Sequence, residues 1–151
     1  MNVSSLLHVL GVVVWVGGMF FAYMALRPVA ASVLEPPQRL TLWAGVFGRF
    51  FPWVWASVAL ILLTGLYMLM LFGGMAAPHY ALAMLALGVL MMLIFAHVFF
   101  VPYKKLKRAV GAQDWKAGGA ALAQIRMLIG INLGIGLVTI AVVFLGRALA
   151  P

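Results

Sequence analysis

Four long apolar segments alternate along the chain with two stretches that hold almost all of its charge. The apolar segments cover residues 3–26, 50–72, 78–101 and 127–146. Each reaches the roughly 20 residues that an α-helix needs to cross the hydrocarbon core of a bilayer. Because the core holds no water, the backbone amides must form their hydrogen bonds within the protein, as they do in a helix. No segment alternates polar and apolar residues, as the strands of a membrane β-barrel do. The pattern therefore predicts an all-α integral membrane protein, an up-down four-helix bundle.

The basic residues predict the orientation of this bundle. They concentrate in 27–49 and 102–126, whereas the turn at 73–77 carries no charge. Because basic loops stay on the cytoplasmic side, both termini should lie outside, as expected for a multi-pass protein of the bacterial inner membrane. The net charge of +8 is therefore explained by the orientation of the chain in the membrane. Nucleic-acid binding is excluded, because the chain has no soluble domain on which the basic residues could form a binding surface. The expected partner is the bilayer with its anionic lipids.

Composition limits the chemistry available to the chain. At 151 residues and 67% hydrophobic, it forms a single transmembrane domain over 1–151. The first apolar segment is longer than the core of a signal peptide and has no basic residues before it, so we expect it to be retained. The chain has no cysteine, and its two acidic residues, Glu35 and Asp114, lie between the spans. These facts exclude thiolate chemistry and paired-carboxylate catalysis in the membrane, and argue against a proton carrier.

Prolines and glycines divide the chain further. A loop is expected to begin at Arg27-Pro28, because proline disfavours helix at the residue before it. Residues 38–48 form a candidate short amphipathic helix, and the second span is expected to start at Arg49-Phe-Phe-Pro52. Residues 103–126 indicate an inner-side connection that is partly helical.

The remaining side chains suited to a cofactor are histidines, methionines and boundary arginines. With about 1.5 Å of rise per residue, His8 lies roughly 7 Å below the outer surface and His97 about 28 Å down. Two axial ligands of one haem iron lie only ~4 Å apart, so these two histidines cannot share an iron. His8 can pair instead with His79 or Met84 near the outer surface, which leaves His97 for a separate inner site.

Other interpretations of these residues remain open. The outer methionines and two histidines could form a soft copper(I) site: His8, His79, Met68, Met70, Met75 and Met84. Methionine in an apolar chain is also an ordinary packing residue. Arg49 and Arg126 lie at inner helix ends, where they either snorkel to the interface or clamp carboxylates such as haem propionates.

Several motifs resemble two related bacterial families. They are, in chain order, Leu7-His8 with Trp15 and Gly17-Gly18, then Arg49-Phe-Phe-Pro52, Thr64-Gly65-Leu66, and His97 before the Lys104–Arg108 run. Together they resemble small CopD-type copper-resistance membrane proteins and HemJ-type protoporphyrinogen oxidases. In the second family the histidine matching His8 is implicated in binding haem b. Residues 78–84 lack the lysine usual there, so protoporphyrinogen oxidation is not implied.

The resemblance makes haem b the leading cofactor, with His8 as its ligand. His79 or Met84 is the candidate second ligand at the outer site, and His97 with Arg49 and Arg126 is the candidate inner site. The protein would then be an electron-transfer cytochrome or a haem-dependent oxidoreductase with a membrane or periplasmic redox partner. Copper handling across the inner membrane is the alternative, and a cofactor-free assembly partner is the third. A homo-oligomer is compatible with each.

Reporter fusions test the orientation. A fusion at residue 110 should be active only with a cytoplasmic reporter, and a fusion after residue 151 only with a periplasmic one, because the basic residues resist translocation. The reverse pair of results would contradict the orientation.

Overall fold

The computed structural model describes residues 2–150, and it is helical almost throughout. Its elements are α1 (Val3–Phe21), a π-helical segment (Ala22–Leu26), α2 (Arg27–Val33), α3 (Pro36–Leu71), a 3₁₀ turn (Gly74–Ala76), α4 (His79–Phe100), α5 (Pro102–Gly111) and α6 (Trp115–Leu149). Four continuous helical runs are long and apolar enough to cross a membrane: Val3–Val33, Pro36–Leu71, His79–Gly111 and Trp115–Leu149. The all-α, four-span architecture is confirmed.

The helices extend well beyond the apolar segments, so both charged stretches are mostly helical. The predicted loop at 27–49 shrinks to a bend at residues 34–35, because α3 already begins at Pro36. A capping box starts α3: the Glu35 side chain accepts from the backbone N–H of Gln38, whose side chain accepts from the Glu35 N–H. At the other connection, Asp114 accepts from the N–H of Ala117 and starts α6. Neither cap depends on hydrophobicity, so the apolar pattern missed both.

The helix also continues through Pro28, where a loop was expected. The backbone N–H of Arg27 donates to the carbonyl of Ala22, the i→i−5 bond of a π-helix. The Tyr23 carbonyl thereby loses the Arg27 N–H, and the next donor in the π register is Pro28, which has none. The Arg27 side chain fills the gap, since its Nε donates to the Tyr23 carbonyl oxygen over 3.2 Å. One side-chain hydrogen bond thus replaces the missing backbone bond, and the helix continues to Val33.

Packing is tightest in the half of the bundle that the basic residues predict to face the cytoplasm, which we call the inner half. α1 packs chiefly on α3 and α4 on α6, and α5, which continues α4, also packs on α6. Phe51 lies at the centre, stacked on Phe47 at 5.0 Å and edge-on to Tyr103 at 4.9 Å and Phe95 at 5.3 Å between ring centroids. Such aromatic pairs stabilise packing beyond the area they bury.

The outer half is more open. No residue of α3 beyond Ser57, and none of α6 beyond Gly136, is buried within the chain. On α1 the buried residues begin only at Gly11. Side chains of the outer half therefore face lipid or one neighbouring helix instead of a closed core.

A buried amide joins α6 to α4. Nδ2 of Asn132 donates to the carbonyl oxygen of Met91 over 3.2 Å, and the residue is 3% exposed. Its Oδ1 has no partner among the described residues. Interhelical bonds of this kind stabilise membrane bundles, since the alternative is an amide in hydrocarbon.

We expect Asn132→Ala to lower the free energy of unfolding by about 1 kcal/mol, because it removes this interhelical bond. Denaturation in mixed micelles measures the change. Thr139→Ala is the control, since the Thr139 hydroxyl donates within its own helix, to the Ile135 carbonyl. An equal loss in both variants would contradict a special contribution from Asn132.

Candidate functional site

The outer candidate site lies between α1 and α3, around His8. Nδ1 of His8 lies 3.0 Å from Oγ1 of Thr64. The Thr64 hydroxyl has one hydrogen, which it donates to the Leu60 carbonyl oxygen over 2.6 Å. With its hydrogen on Leu60, Thr64 accepts from His8 if the neutral imidazole carries its proton on Nδ1. The Nε2 lone pair then remains available for a metal, in the arrangement usual for metal-binding histidines.

A thioether lies one helical turn away. Sδ of Met68 lies 3.4 Å from Oγ of Ser5, and Ser5 also lies 2.8 Å from Oδ1 of Asn2. Ser5 has one hydroxyl hydrogen, and the shorter contact indicates that it donates this hydrogen to Oδ1 of Asn2. The sulfur lone pairs of Met68 then stay free. Ser5 and His8 are neighbours on one face of α1, and Thr64 and Met68 are neighbours on one face of α3. Because Ser5 contacts Met68 and His8 contacts Thr64, His8 and Met68 lie about one turn, ~6 Å, apart along the interface.

Glycine allows this close approach. A Cβ on Gly65 would lie 3.2 Å from Cε1 of His8, which is tighter than ordinary van der Waals contact. The Thr64-Gly65 pair therefore both bonds the ring and makes room for it.

The structure does not bring the other predicted ligands into this interface. His79 is exposed at the start of α4, and Met84 is half-buried on the same helix, which packs mainly on α6. Met70 and Met75 are 75% and 81% exposed, and His97 is exposed in the last turn of α4. Within residues 2–150 no cluster of three histidine, cysteine or acidic side chains is suited to a metal ion. Pairing of His8 with His79 or Met84 stays a prediction.

A second candidate site lies at the inner end, as a cavity of about 290 Å³. Arg27 of α2, Arg39 of α3 and Arg126 of α6 line it. Its apolar lining includes side chains from three helical runs, among them Tyr23, Trp43, Phe47, Leu122 and Ile129. Arg126 was a predicted site residue, whereas its predicted companion Arg49 is exposed on α3 and does not line the cavity.

The sequence pattern missed Arg27 and Arg39 as site residues because it placed Arg27 in a loop and Arg39 in a separate short helix. Their convergence requires α1 to continue through Pro28 and α3 to begin at Pro36. The Glu35-Pro36-Pro37-Gln38 sequence carried the capping-box signal that locates the start of α3.

The sequence model of the family described as "CopD: Copper resistance protein D" matches residues 44–145, two thirds of the chain. The chain belongs to the copper resistance protein D family. It is a multi-pass protein of the inner membrane, and its four apolar helical runs agree with that location. The match covers most of α3 and continues into α6, but it does not reach α1, so His8 lies outside it. No curated protein and no solved structure gives a significant match.

This result confirms the resemblance to CopD-type proteins, whereas the resemblance to HemJ-type proteins stays a prediction. Within this copper resistance protein D family member, Thr64, Gly65 and Met68 belong to the matched region, and His8 approaches them from outside it.

Nitrogen NMR of histidine-labelled protein tests the tautomer assignment. At alkaline pH, His8 should carry its proton on Nδ1, because Thr64 accepts from that nitrogen. Thr64→Val removes the acceptor and should move the population towards the Nε2–H form, while the signals of exposed His97 stay unchanged. A wild-type His8 already protonated on Nε2 would contradict the assignment.

Proposed function

We propose that the protein handles copper(I) in the inner membrane, with His8 and Met68 as the first ligands at the outer end of the α1–α3 interface. The observation that carries the proposal is the Thr64 contact, which orients the imidazole through Nδ1 about one helical turn from the Met68 thioether. Membership of the copper resistance protein D family independently supports a copper-related role.

The donor set suits copper(I). Thioether sulfur and imidazole nitrogen are neutral ligands, and soft thioethers favour copper(I) over harder divalent ions. With neither of the two acids close to His8 in sequence, the site offers little to magnesium or calcium, which need oxygen ligands.

Position also favours this location, because His8 lies roughly 7 Å below the surface at this end of the bundle. The basic residues predict this end to be periplasmic, where copper would arrive from outside the cell.

Haem b, the cofactor that the sequence favoured, has less support. His8 is a suitable axial ligand through Nε2, but Arg27, the cavity arginine on the same helical run that could hold a propionate, lies about 28 Å further along. No histidine lines that cavity. A single haem therefore cannot contact both His8 and the arginine cavity. Copper(I) bound by His8 and Met68 needs no porphyrin pocket.

Copper(I) titration against a coloured copper(I) chelator, under reducing conditions, tests the proposal. His8→Ala and Met68→Leu should each weaken binding by about tenfold or more, because each removes one of few ligands. Met70→Leu is the matched control, since Met70 lies on the same helix and is 75% exposed.

Two results would contradict copper handling at this site. One is wild-type copper(I) affinity in the His8→Ala variant. The other is a protein that takes up no copper(I) but, expressed with ample haem, shows a Soret band that His8→Ala abolishes. A protein that binds neither would favour the cofactor-free assembly role.

A further inference from the structure

The inner cavity has no part in the proposed copper chemistry. It lies where α2, the first turns of α3 and the inner half of α6 meet, at the opposite end of the bundle from His8. We propose that this cavity binds a phosphate group, carried either by an anionic phospholipid of the inner leaflet or by a small phosphate from the cytoplasm.

The first argument is charge. Arg27, Arg39 and Arg126 bring three guanidinium groups to one cavity, and no acidic side chain among residues 2–150 lines it. The two acids of the chain cap helices instead: Glu35 accepts from the N–H of Gln38, and Asp114 from the N–H of Ala117. Like charges held together at a membrane boundary repel, and a bound anion removes that repulsion.

The second argument is position. Arginines that only snorkel would extend into the headgroup region, away from one another. Arg27 and Arg39 are instead half-buried, and the exposed Arg126 lines the same space from a third helical run. Guanidinium groups present parallel N–H donors in the geometry that phosphate oxygens accept.

The third argument is that Arg27 is held in place before any ligand arrives. Its Nε donates to the Tyr23 carbonyl, and its guanidinium carbon lies 4.4 Å from the centroid of the Tyr23 ring. These contacts leave the two terminal nitrogens free to donate. The π-helical segment and Pro28 create the carbonyl that fixes this arginine, and π-bulges often mark functional sites.

The lining favours a lipid over a free anion. Trp43, Phe47, Leu122 and Ile129 supply apolar surface next to the arginines. At about 290 Å³, the cavity is at the lower limit of small-molecule sites, which span roughly 300–1,000 Å³. A headgroup phosphate with its glycerol carbons meets both requirements, because the phosphate contacts the arginines and the carbons contact the apolar wall.

Native mass spectrometry of the detergent-solubilised full chain tests the proposal by titration with phosphatidylglycerol and with phosphatidylcholine. Wild-type protein should retain phosphatidylglycerol about tenfold more tightly, because the choline cation of phosphatidylcholine offsets the charge of its phosphate. Arg39→Gln or Arg126→Gln should each cut this retention about tenfold. Arg108→Gln is the matched control, since Arg108 is an exposed inner-side arginine outside the cavity. Arg27 is left unchanged because its side chain also completes the helix backbone.

A steric variant separates the cavity from the general basic surface. Gly119 lines the cavity, and a Cβ there meets nothing within 4 Å, so Gly119→Leu fills space without changing charge. It should lower retention as the arginine variants do. Gly45→Leu is the control, since Gly45 also has open space and does not line the cavity. Circular dichroism melts of each variant show that the fold persists.

Thermal unfolding with added inorganic phosphate or glycerol phosphate distinguishes the two sources. Stabilisation by phosphatidylglycerol alone assigns the site to a lipid, whereas equal stabilisation by inorganic phosphate, lost in Arg39→Gln, assigns it to a small anion. Either outcome supports the phosphate site. Equal retention of both lipids without any phosphate effect would overturn the proposal, as would a loss in Arg108→Gln as large as in Arg39→Gln.

Discussion

The antiparallel contact between α1 and α3 is the interaction on which both candidate sites depend. At its outer end it brings His8 to Thr64, and at its inner end the continuation of the same two helical runs brings Arg27 towards Arg39. Between them, Gly11 allows the helices to approach, since a Cβ there would lie 2.9 Å from Cγ1 of Ile61. A shift of α1 along α3 by one turn would separate His8 from Thr64 and change the cavity at the other end as well.

The two sites offer opposite chemistry. The outer site supplies neutral, soft donors in a region with little burial, whereas the inner cavity concentrates positive charge without a balancing carboxylate. A cation is attracted by the first and repelled by the second, and the reverse holds for an anion. The chain has few acidic residues, which excluded carboxylate catalysis from the sequence alone. The same scarcity makes the outer site selective for a soft cation and the inner cavity selective for an anion.

Much of the fold followed from the sequence because a bilayer tolerates few alternatives. Four apolar segments of sufficient length can only be helices, and their number and order are as predicted. The helix ends were not predictable from hydrophobicity, because capping by Glu35 and Asp114 and the Arg27 bond to the Tyr23 carbonyl decide them. Gly130 allows a close helix contact, since a Cβ there would lie 2.9 Å from the Tyr23 ring, whereas a Cβ on Gly134, one turn later, would meet nothing within 4 Å.

The candidate sites were predictable only in part. His8 stood out as a histidine in a charge-free segment, but its bond to Thr64 depends on the register between two helices. The arginine cavity joins residues 27, 39 and 126, which no local pattern connects. Sequence supplies the side chains, and helix register decides which of them meet.

X-ray absorption spectroscopy of the copper(I)-loaded protein tests the central claim most directly. The account predicts a first shell that contains both a sulfur and an imidazole nitrogen, with the imidazole scattering absent from the His8→Ala variant and the sulfur absent from Met68→Leu. A copper shell of nitrogen and oxygen alone, or one that neither substitution alters, would contradict it.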